Sequence, residues 1–333
     1  MGEVNNMSLT LDEQWRTADA LQFRQLHSLG QGRYLLSGGI DSPTYPKNKL
    51  KCGMAMLDVA SRHYVWKTEI TGHRQFEYSC STASRAVGVI PHPHKSDFCG
   101  LMVFGLLDGS VYDETAAVEG VVGVAALAGD KYAYCTSNDG RLVISEAGSS
   151  HPVCCLPVGD QLRVLRLTHY DDGHFVITFQ RIRLVDGRGV VDFLHEMRRC
   201  NGTVVWQHTT ENDSVITRAV SGEVLTYTNA GEDTRCQVEC LDAIDGAVKE
   251  TIVIPTSLAS LAYCTDDCFL FCNPLYELCV FDRRNREITP TASFHNQYPG
   301  WLAIAVAETE RSVLVSKVDN FLSPGSTLAA FTF

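Results

Sequence analysis

The chain has 333 residues, of which 45% are hydrophobic and 20% are charged, so it can bury a large core and is not a disordered protein. Its formal net charge of −11 argues against nucleic acid as the main partner, because phosphate binding depends on clustered Lys and Arg. No cationic start precedes an apolar run, and no uninterrupted apolar stretch is long enough to span a bilayer. We therefore expect a soluble protein without a membrane partner, in the cytoplasm or, as the alternative, the nucleus.

Short β-rich segments separated by Gly, Asp, Asn and Ser recur along the whole chain, whereas long runs of helical periodicity are hard to find. A strand–turn–strand unit repeats, and each repeat carries one apolar anchor residue in its third strand. The anchor residues are Leu57, Phe104, Ile144, Met197, Leu241, Phe281 and Phe331. Their spacings of 47, 40, 53, 44, 40 and 50 residues match the period of about 40 to 50 residues that is typical of four-stranded propeller blades.

The repeat predicts one all-β domain over residues 1–333, a seven-bladed β-propeller with four antiparallel strands per blade. The approximate blades, in chain order, are residues 21–70, 76–118, 121–158, 161–209, 214–255, 258–295 and 300–333 plus 8–18. The end "STLAAFTF" supplies a third strand without a fourth, so we expect the N-terminal strand to pair with the C-terminal blade and close the ring. Trp15 then takes the place that Trp66 and Trp206 hold in other fourth strands.

The segment after each anchor residue must turn sharply into the fourth strand. The sequences "VASR", "LLDG", "RCNG", "AIDG" and "RRNR" stand there, mostly with the Gly, Asn or Asp that tolerate a positive φ. We expect a tight turn at this point of the blades.

The unit "LDAIDGAVKE" at 241–250 is similar to the repeat of the quinoprotein-like (PQQ-repeat) propellers, Leu-Asp-Ala-x-x-Gly-x-x-x-Trp, and "MLDVASRHYVW" keeps its Leu57, Asp58 and Trp66. The count of seven blades resembles WD40-type propellers equally. The quinoprotein resemblance implies a quinone enzyme, in which a vicinal pair such as Cys154–Cys155 lies beside the cofactor. We place this pair on the outer, fourth strand of the third blade, far from the channel, and therefore expect two thiols and no cofactor.

Thirteen cysteines are scattered through β-like runs without CxxC spacing, so most of them are expected to be small buried apolar residues. The loop "PHPHKSDFC" gathers His92, His94, Asp97 and Cys99, which are zinc-ligand types. A metal site also needs its third and fourth ligands held rigidly, so we predict an exposed loop and no metal.

Several predicted loops join the second and third strands of their blades and would cluster on one face of the ring. Their aromatic and basic residues are typical of a protein-binding surface, and local packing of the aromatics is the competing interpretation. Two further residues, ahead of the last inner strand, could form an aromatic cage. The candidate partner-binding residues are Tyr45, Lys47, Lys49, His92, His94, Arg188, Tyr276, Tyr298, Trp301 and Phe321. The basic turn "FDRRNRE" is predicted to be a solvated turn on the opposite face or the outer edge.

No nucleophile elbow, P-loop or zinc-protease motif is present, and the inner strands are mainly Ala, Val, Leu and Ser. We predict no catalytic residues and a non-catalytic scaffold that binds other proteins within a larger intracellular complex. One alternative is an enzyme or small-ligand binder that uses the central channel, similar to a metal-dependent hydrolase, a lactonase or a quinoprotein, with His169 and Glu308 as the nearest candidates. A second alternative is a recognition module for a peptide or a modified side chain.

Overall fold

The computed structural model describes most of the chain. The ranges are 11–40, 50–73, 75–91, 98–137, 140–149, 151–157, 162–185, 188–212, 215–218, 223–229, 235–264, 267–294, 301–307, 311–318 and 325–332. Within them, the backbone alone is described at 113–117, 184–185, 188, 216–218, 262–264 and 301.

The described backbone forms 28 strands and no helix, arranged as seven antiparallel sheets of four strands. Blade 1 contains β2 (Gln22–Gly30), β3 (Arg33–Gly39), β4 (Lys51–Asp58) and β5 (His63–Thr71). Blade 2 contains β6 (Tyr78–Ser81), β7 (Arg85–Pro91), β8 (Phe98–Gly105) and β9 (Val111–Glu119). Blade 3 contains β10 (Val121–Ala126), β11 (Lys131–Thr136), β12 (Arg141–Glu146) and β13 (Pro152–Pro157).

Blades 4 to 7 complete the ring. Blade 4 contains β14 (Leu162–Asp171), β15 (His174–Val185), β16 (Arg188–Arg199) and β17 (Val204–Thr210), and blade 5 contains β18 (Val215–Arg218), β19 (Val224–Asn229), β20 (Cys236–Leu241) and β21 (Val248–Ile254). Blade 6 contains β22 (Ser260–Cys264), β23 (Cys268–Cys272), β24 (Glu277–Asp282) and β25 (Glu287–Ser293). Blade 7 contains β26 (Trp301–Ala307), β27 (Ser312–Val318), β28 (Ser326–Thr332) and β1 (Asp12–Asp19). The first strands contact one another in sequence and β26 contacts β2, so the predicted seven-bladed propeller with four antiparallel strands per blade is confirmed.

The repeat has a direct structural basis in the buried interfaces between blades. All seven anchor residues lie in the third strands and are at most 2% exposed. Apolar residues from neighbouring blades meet face to face, as where the rings of Phe294 in blade 6 and Phe331 in blade 7 pack edge to face at 6.0 Å. A single four-stranded sheet has two apolar faces that it cannot bury alone, so the blades stack around an axis.

The turn after the anchor residue contains a left-handed residue in most blades. Gly109, Gly202 and Gly246 have φ of 67°, 84° and 74° in blades 2, 4 and 5. Arg62 and Arg286 take this conformation in blades 1 and 6, with φ of 62° and 59°. In these two blades an arginine holds the left-handed position, and its Cβ makes the conformation costly.

The ring closes through the two ends of the chain, as predicted. β1 pairs antiparallel with β28 from Asp12↔Thr332 to Asp19↔Ser326, and Trp15 lies opposite Ala330. The Nε1 of Trp15 donates a hydrogen bond to the carbonyl oxygen of Val59, in the turn after the third strand of blade 1, at 3.2 Å. The closing strand therefore docks on the next blade as well as pairing within its own.

The two other tryptophans of fourth strands make the same contact. The Nε1 of Trp66 in blade 1 donates to the carbonyl oxygen of Leu106 in blade 2 at 2.8 Å. The Nε1 of Trp206 in blade 4 donates to the carbonyl oxygen of Ala243 in blade 5 at 2.9 Å. Each indole is buried against the neighbouring blade and finds an acceptor there, as the sequence predicted for an outer-strand ring.

The antiparallel order of each blade defines two faces of the ring. Connections from second to third strands, and from fourth strands to the next blade, lie on one face, which we call the loop face. Connections from first to second and from third to fourth strands lie on the other, the turn face. The described residues of the connections on the turn face are 31–32, 59–62, 82–84, 106–110, 127–130, 147–149, 151, 172–173, 200–203, 223, 242–247, 267, 283–286 and 311.

Candidate functional site

Most of the predicted partner-binding residues fall outside the described residues. These are Tyr45, Lys47, Lys49, His92, His94, Tyr298 and Phe321, and the channel candidate Glu308 is another. Arg188 begins β16 with its backbone opposite Val185, and Trp301 begins β26, but their side chains are not described. Arg188, Tyr276 and Trp301 belong to connections or strand ends on the loop face.

Tyr276 is the one predicted rim residue whose side chain is described. It lies in the turn between β23 and β24 with φ of 60°, and it packs partly buried against the core between blades 6 and 7. The side chain of Asn273 holds this turn, because its Oδ1 accepts the amides of Leu275 and Glu277 at 2.9 and 3.0 Å. For Tyr276 the structure therefore agrees with local packing, and Leu275 beside it is the exposed side chain.

A hairpin of blade 4 extends beyond its sheet on the loop face. β15 and β16 are twelve residues long each, whereas β14 pairs with β15 only as far as Arg181 and β17 pairs with β16 only as far as Phe193. The described residues 182–185 and 188–191 pair only with each other in the described part of the chain, and we call residues 182–192 the blade 4 arm.

One side of the arm is apolar and exposed. Ile182 and Val191 lie directly opposite each other, so their side chains share one face, and they are 64% and 42% exposed. Val190, on the reverse face, is 40% exposed. Exposed β-branched residues on a projecting hairpin form an apolar surface, which is typical of a protein-binding site.

The reverse face of the arm is held by ion pairs. The guanidinium of Arg181 donates to both carboxylate oxygens of Asp192 at 2.9 and 3.0 Å, and Arg183 also contacts that carboxylate. Hydrogen bonds from Arg181 hold the pKa of Asp192 below its usual value. This bidentate pairing joins the two strands and makes the arm a preformed element.

The sequence indicated basic residues here but not the exposed apolar ones. The segment "QRIRLVDGRG" is rich in arginine, whereas Ile182, Val190 and Val191 look like ordinary β-strand residues. The only signal for an extended arm was the long spacing of 53 residues between Ile144 and Met197.

The central channel contains a cavity of about 710 Å³ at its turn-face end. First strands of blades 1, 2, 3, 4 and 7 line it. Its polar lining residues are Gln25, His27, Ser28, Tyr78, Ser79, Ser81, Thr82, Thr168, His169 and Asp172. His169, which the sequence offered as a channel candidate, therefore does reach the channel, and it is exposed at the mouth.

The described residues contain no group of three or more His, Cys, Asp or Glu side chains that could hold a metal ion. All twelve cysteines whose side chains are described are free and eight of them are buried, which agrees with small apolar core residues. Burial raises the pKa of thiols such as Cys80 and Cys135 to about 12, so they stay protonated.

The pair Cys154–Cys155 lies on β13, the outermost strand of blade 3, as predicted. Neither residue lines the channel cavity. The position of this pair gives no support to the quinoprotein interpretation.

The arginines of the turn "FDRRNRE" lie on the turn face, and each pairs with a carboxylate. Arg283 donates to Glu250 at 2.7 Å and Arg286 to the same carboxylate at 3.1 Å, while Arg284 pairs with Asp267. The two contacts with Glu250 join blades 5 and 6, so these arginines stabilise the fold.

No helix in the described ranges is long and apolar enough to cross a membrane. No family model matches the chain, and no curated protein matches it in sequence.

Solved structures do match in shape. The β-propeller domain of Cps50 (Swd1) from Myceliophteria thermophila aligns with a TM-score of 0.66 over 97% of this chain and 99% of that one, at 10% identity. The C-terminal WD40 domain of Sif2 aligns with a TM-score of 0.57 over 96% and 98%, also at 10% identity. The chain thus has the WD40-type propeller fold, and the quinoprotein-like part of the resemblance is not supported.

Proposed function

We propose that this WD40-type propeller is a non-catalytic scaffold that holds other proteins of a larger complex inside the cell, in the cytoplasm or the nucleus. The blade 4 arm is its main contact on the loop face, and the ten predicted rim residues form the rest of that surface. Residues 1–333 act as one unit in this proposal. The observation that supports it best is the exposed apolar face of the arm.

The arm fits an extended partner segment. Among the residues that the structure describes, no third strand pairs with residues 182–185 and 188–191, and a partner strand could pair with the main chain along these edges. An added strand would gain these hydrogen bonds and place alternate apolar side chains against Ile182 and Val191. The partner segment is therefore extended, with apolar residues at every second position.

The ion pairs of the arm lower the cost of this binding. Because Arg181 and Arg183 already clamp Asp192, the hairpin needs little further ordering when a partner docks. The guanidinium of Arg183 is half exposed and offers a contact for an acidic side chain of the partner.

The test uses tagged full-length protein in its native cells, followed by crosslinking and quantitative mass spectrometry. The variant Ile182→Glu/Val191→Glu places two charges on the apolar face of the arm. The matched control is Ile244→Glu, which changes an isoleucine that is 83% exposed on the turn face. Thermal unfolding shows first that all three proteins are equally folded.

We expect the same set of proteins to copurify with the wild type and with Ile244→Glu, and that set to be lost from the arm variant. A synthetic peptide of the crosslinked partner segment should then bind the wild type and fail to bind the arm variant. An unchanged partner set in the arm variant, or equal losses in both variants, contradicts the proposal.

A further inference from the structure

The channel cavity has the features of a small-molecule site. Its volume of about 710 Å³ lies within the range of about 300 to 1,000 Å³ that is typical of ligand pockets. Apolar side chains, among them Leu26, Val124 and Leu167, cover part of its wall. The polar groups on the rest of the wall determine which ligands it can accept.

A hydrogen-bond network fixes the protonation of His27. The amide Nε2 of Gln25 contacts the carbonyl oxygen of Glu77, which can only accept, so the Oε1 of Gln25 faces Ser79. The hydroxyl of Ser79 must donate its single proton to that Oε1, at 2.8 Å. Ser79 can then only accept from its two other neighbours, Ser37 at 2.7 Å and the Nε2 of His27 at 2.8 Å.

The proton of His27 is therefore on Nε2. Burial, helped by the nearby His169, lowers the pKa of His27 to about 4, so the ring is neutral at pH 7. A neutral imidazole with its proton on Nε2 has a lone pair on Nδ1. His27 thus presents an acceptor to any ligand that reaches it.

His169 has the opposite tautomer. Its Nδ1 lies 2.9 Å from the carbonyl oxygen of Ala126, which can only accept, so Nδ1 is the protonated nitrogen. The lone pair of a neutral His169 is then on Nε2. Two histidines from blades 1 and 4, both in the wall of one cavity, offer ring acceptors of fixed position.

We propose that the turn-face cavity binds a small neutral molecule that has an apolar body and two N–H donors, with the Nδ1 of His27 and the Nε2 of His169 as its acceptors. A carboxylate or phosphate is disfavoured because it would face two lone pairs. The primary-amide group, with two N–H bonds on one nitrogen, is the simplest chemistry that satisfies the site. This inference is independent of the arm and of protein partners.

The first measurement is the tautomer of each ring. Two-bond proton–nitrogen correlation spectra of the full-length protein with labelled histidine distinguish the two ring nitrogens of every histidine. We expect the proton on Nε2 in His27 and on Nδ1 in His169. The opposite tautomer in either residue would remove the basis of the proposal.

The second measurement compares benzamide with benzoate, which have the same shape and differ in the donors that the proposal requires. Benzamide at millimolar concentration should shift the ring resonances of His27 and His169, and benzoate should not. His169→Ala should weaken benzamide binding about tenfold, the value of one good hydrogen bond. His151→Ala, which removes an exposed histidine outside the cavity lining, is the matched control and should leave it unchanged.

Stronger binding of benzoate than of benzamide would make the cavity an anion site and overturn the proposal. So would the absence of any shift with benzamide, or equal weakening by His169→Ala and His151→Ala.

Discussion

A Cβ added to Gly109 would lie 2.4 Å from Cε3 of Trp66, so the indole of blade 1 fills the space beside the turn of blade 2. The same relationship recurs between Gly246 and Trp206, at 2.8 Å. The glycine thus meets two requirements at once, a positive φ and close approach of the neighbouring ring.

Gly109→Ala should therefore destabilise the ring strongly. The left-handed conformation and the overlap with Trp66 together predict a loss of about 3 kcal/mol in the free energy of unfolding, measured by urea denaturation. Gly140→Ala is the control, since Gly140 has φ of 57° and a Cβ there would have no atom within 4 Å. We expect a loss of about 1 kcal/mol for it. Equal losses in the two variants would show that the indole does not determine the cost.

Arg62→Gly should stabilise the protein. Arg62 is exposed and has φ of 62°, a conformation that glycine adopts without strain. We expect a gain of about 1 kcal/mol in the free energy of unfolding. Arg286→Gly relieves the same strain but loses the contact with Glu250, so its gain should be smaller. A larger gain for Arg286→Gly would contradict this explanation.

The closing strand should contribute to stability through Trp15. Trp15→Ala removes a buried ring and should cost about 3 to 5 kcal/mol. Trp15→Phe keeps most of the ring but loses the hydrogen bond to Val59, so we expect a loss of about 1 kcal/mol. Trp66→Phe loses the equivalent bond to Leu106 and should match it. No loss with Trp15→Ala would show that β1 does not dock on blade 1.

His27 should make the protein less stable in mild acid. The unfolded chain binds a proton near pH 6.5 and the folded ring only near pH 4, so the unfolded state binds more protons between these values. The contribution is fully present above pH 6.5 and is lost as the pH falls to 4, by about 3 kcal/mol at most.

The pH test compares the wild type with His27→Gln, whose amide can still donate to Ser79 but does not titrate. Denaturation midpoints between pH 7 and 4 should fall more steeply for the wild type. The carboxylates that also titrate in this range are present in both proteins and do not contribute to the difference between them. An identical pH dependence of the midpoint in the two proteins would contradict a lowered pKa of His27.

The carboxylate of Asp192 should reduce the mobility of the blade 4 arm. Asp192→Asn leaves the guanidiniums of Arg181 and Arg183 without their carboxylate, so amide hydrogen exchange in residues 182–191 should become faster. Arg183→Gln removes only the half-exposed partner and should change exchange less. Unchanged exchange in Asp192→Asn would mean that backbone pairing alone holds the arm.

The repeat could be predicted because the physical requirement is itself repeated. Each blade needs a large apolar residue at the interface, and this requirement placed Leu57, Phe281 and Phe331 in one column of the sequence. Ring closure followed from the same argument, since a third strand without a fourth leaves an open edge. These features depend on residue type and spacing alone.

The candidate sites depend on contacts that a linear pattern does not contain. Ile182 lies between two arginines in the sequence, as a residue on the buried face of a strand would, and only the lengths of β14 and β17 show that Ile182 and Val191 project beyond the sheet. His27 and His169 are far apart in the chain, and only the circular arrangement of the blades places both of them in the wall of one cavity. The positive φ of Arg62 was also hidden, because no Gly, Asn or Asp marks that position in "VASR".

The pairing of β1 with β28 also affects how the protein is made. Gln14 and its partner Thr332 are 318 residues apart, so β1 remains without the strand beside it while all the intervening blades are synthesised. A nascent chain cannot complete blade 7 until β28 leaves the ribosome. We therefore expect chaperone contact with the unfinished ring, and rapid proteolysis of products that stop before β28.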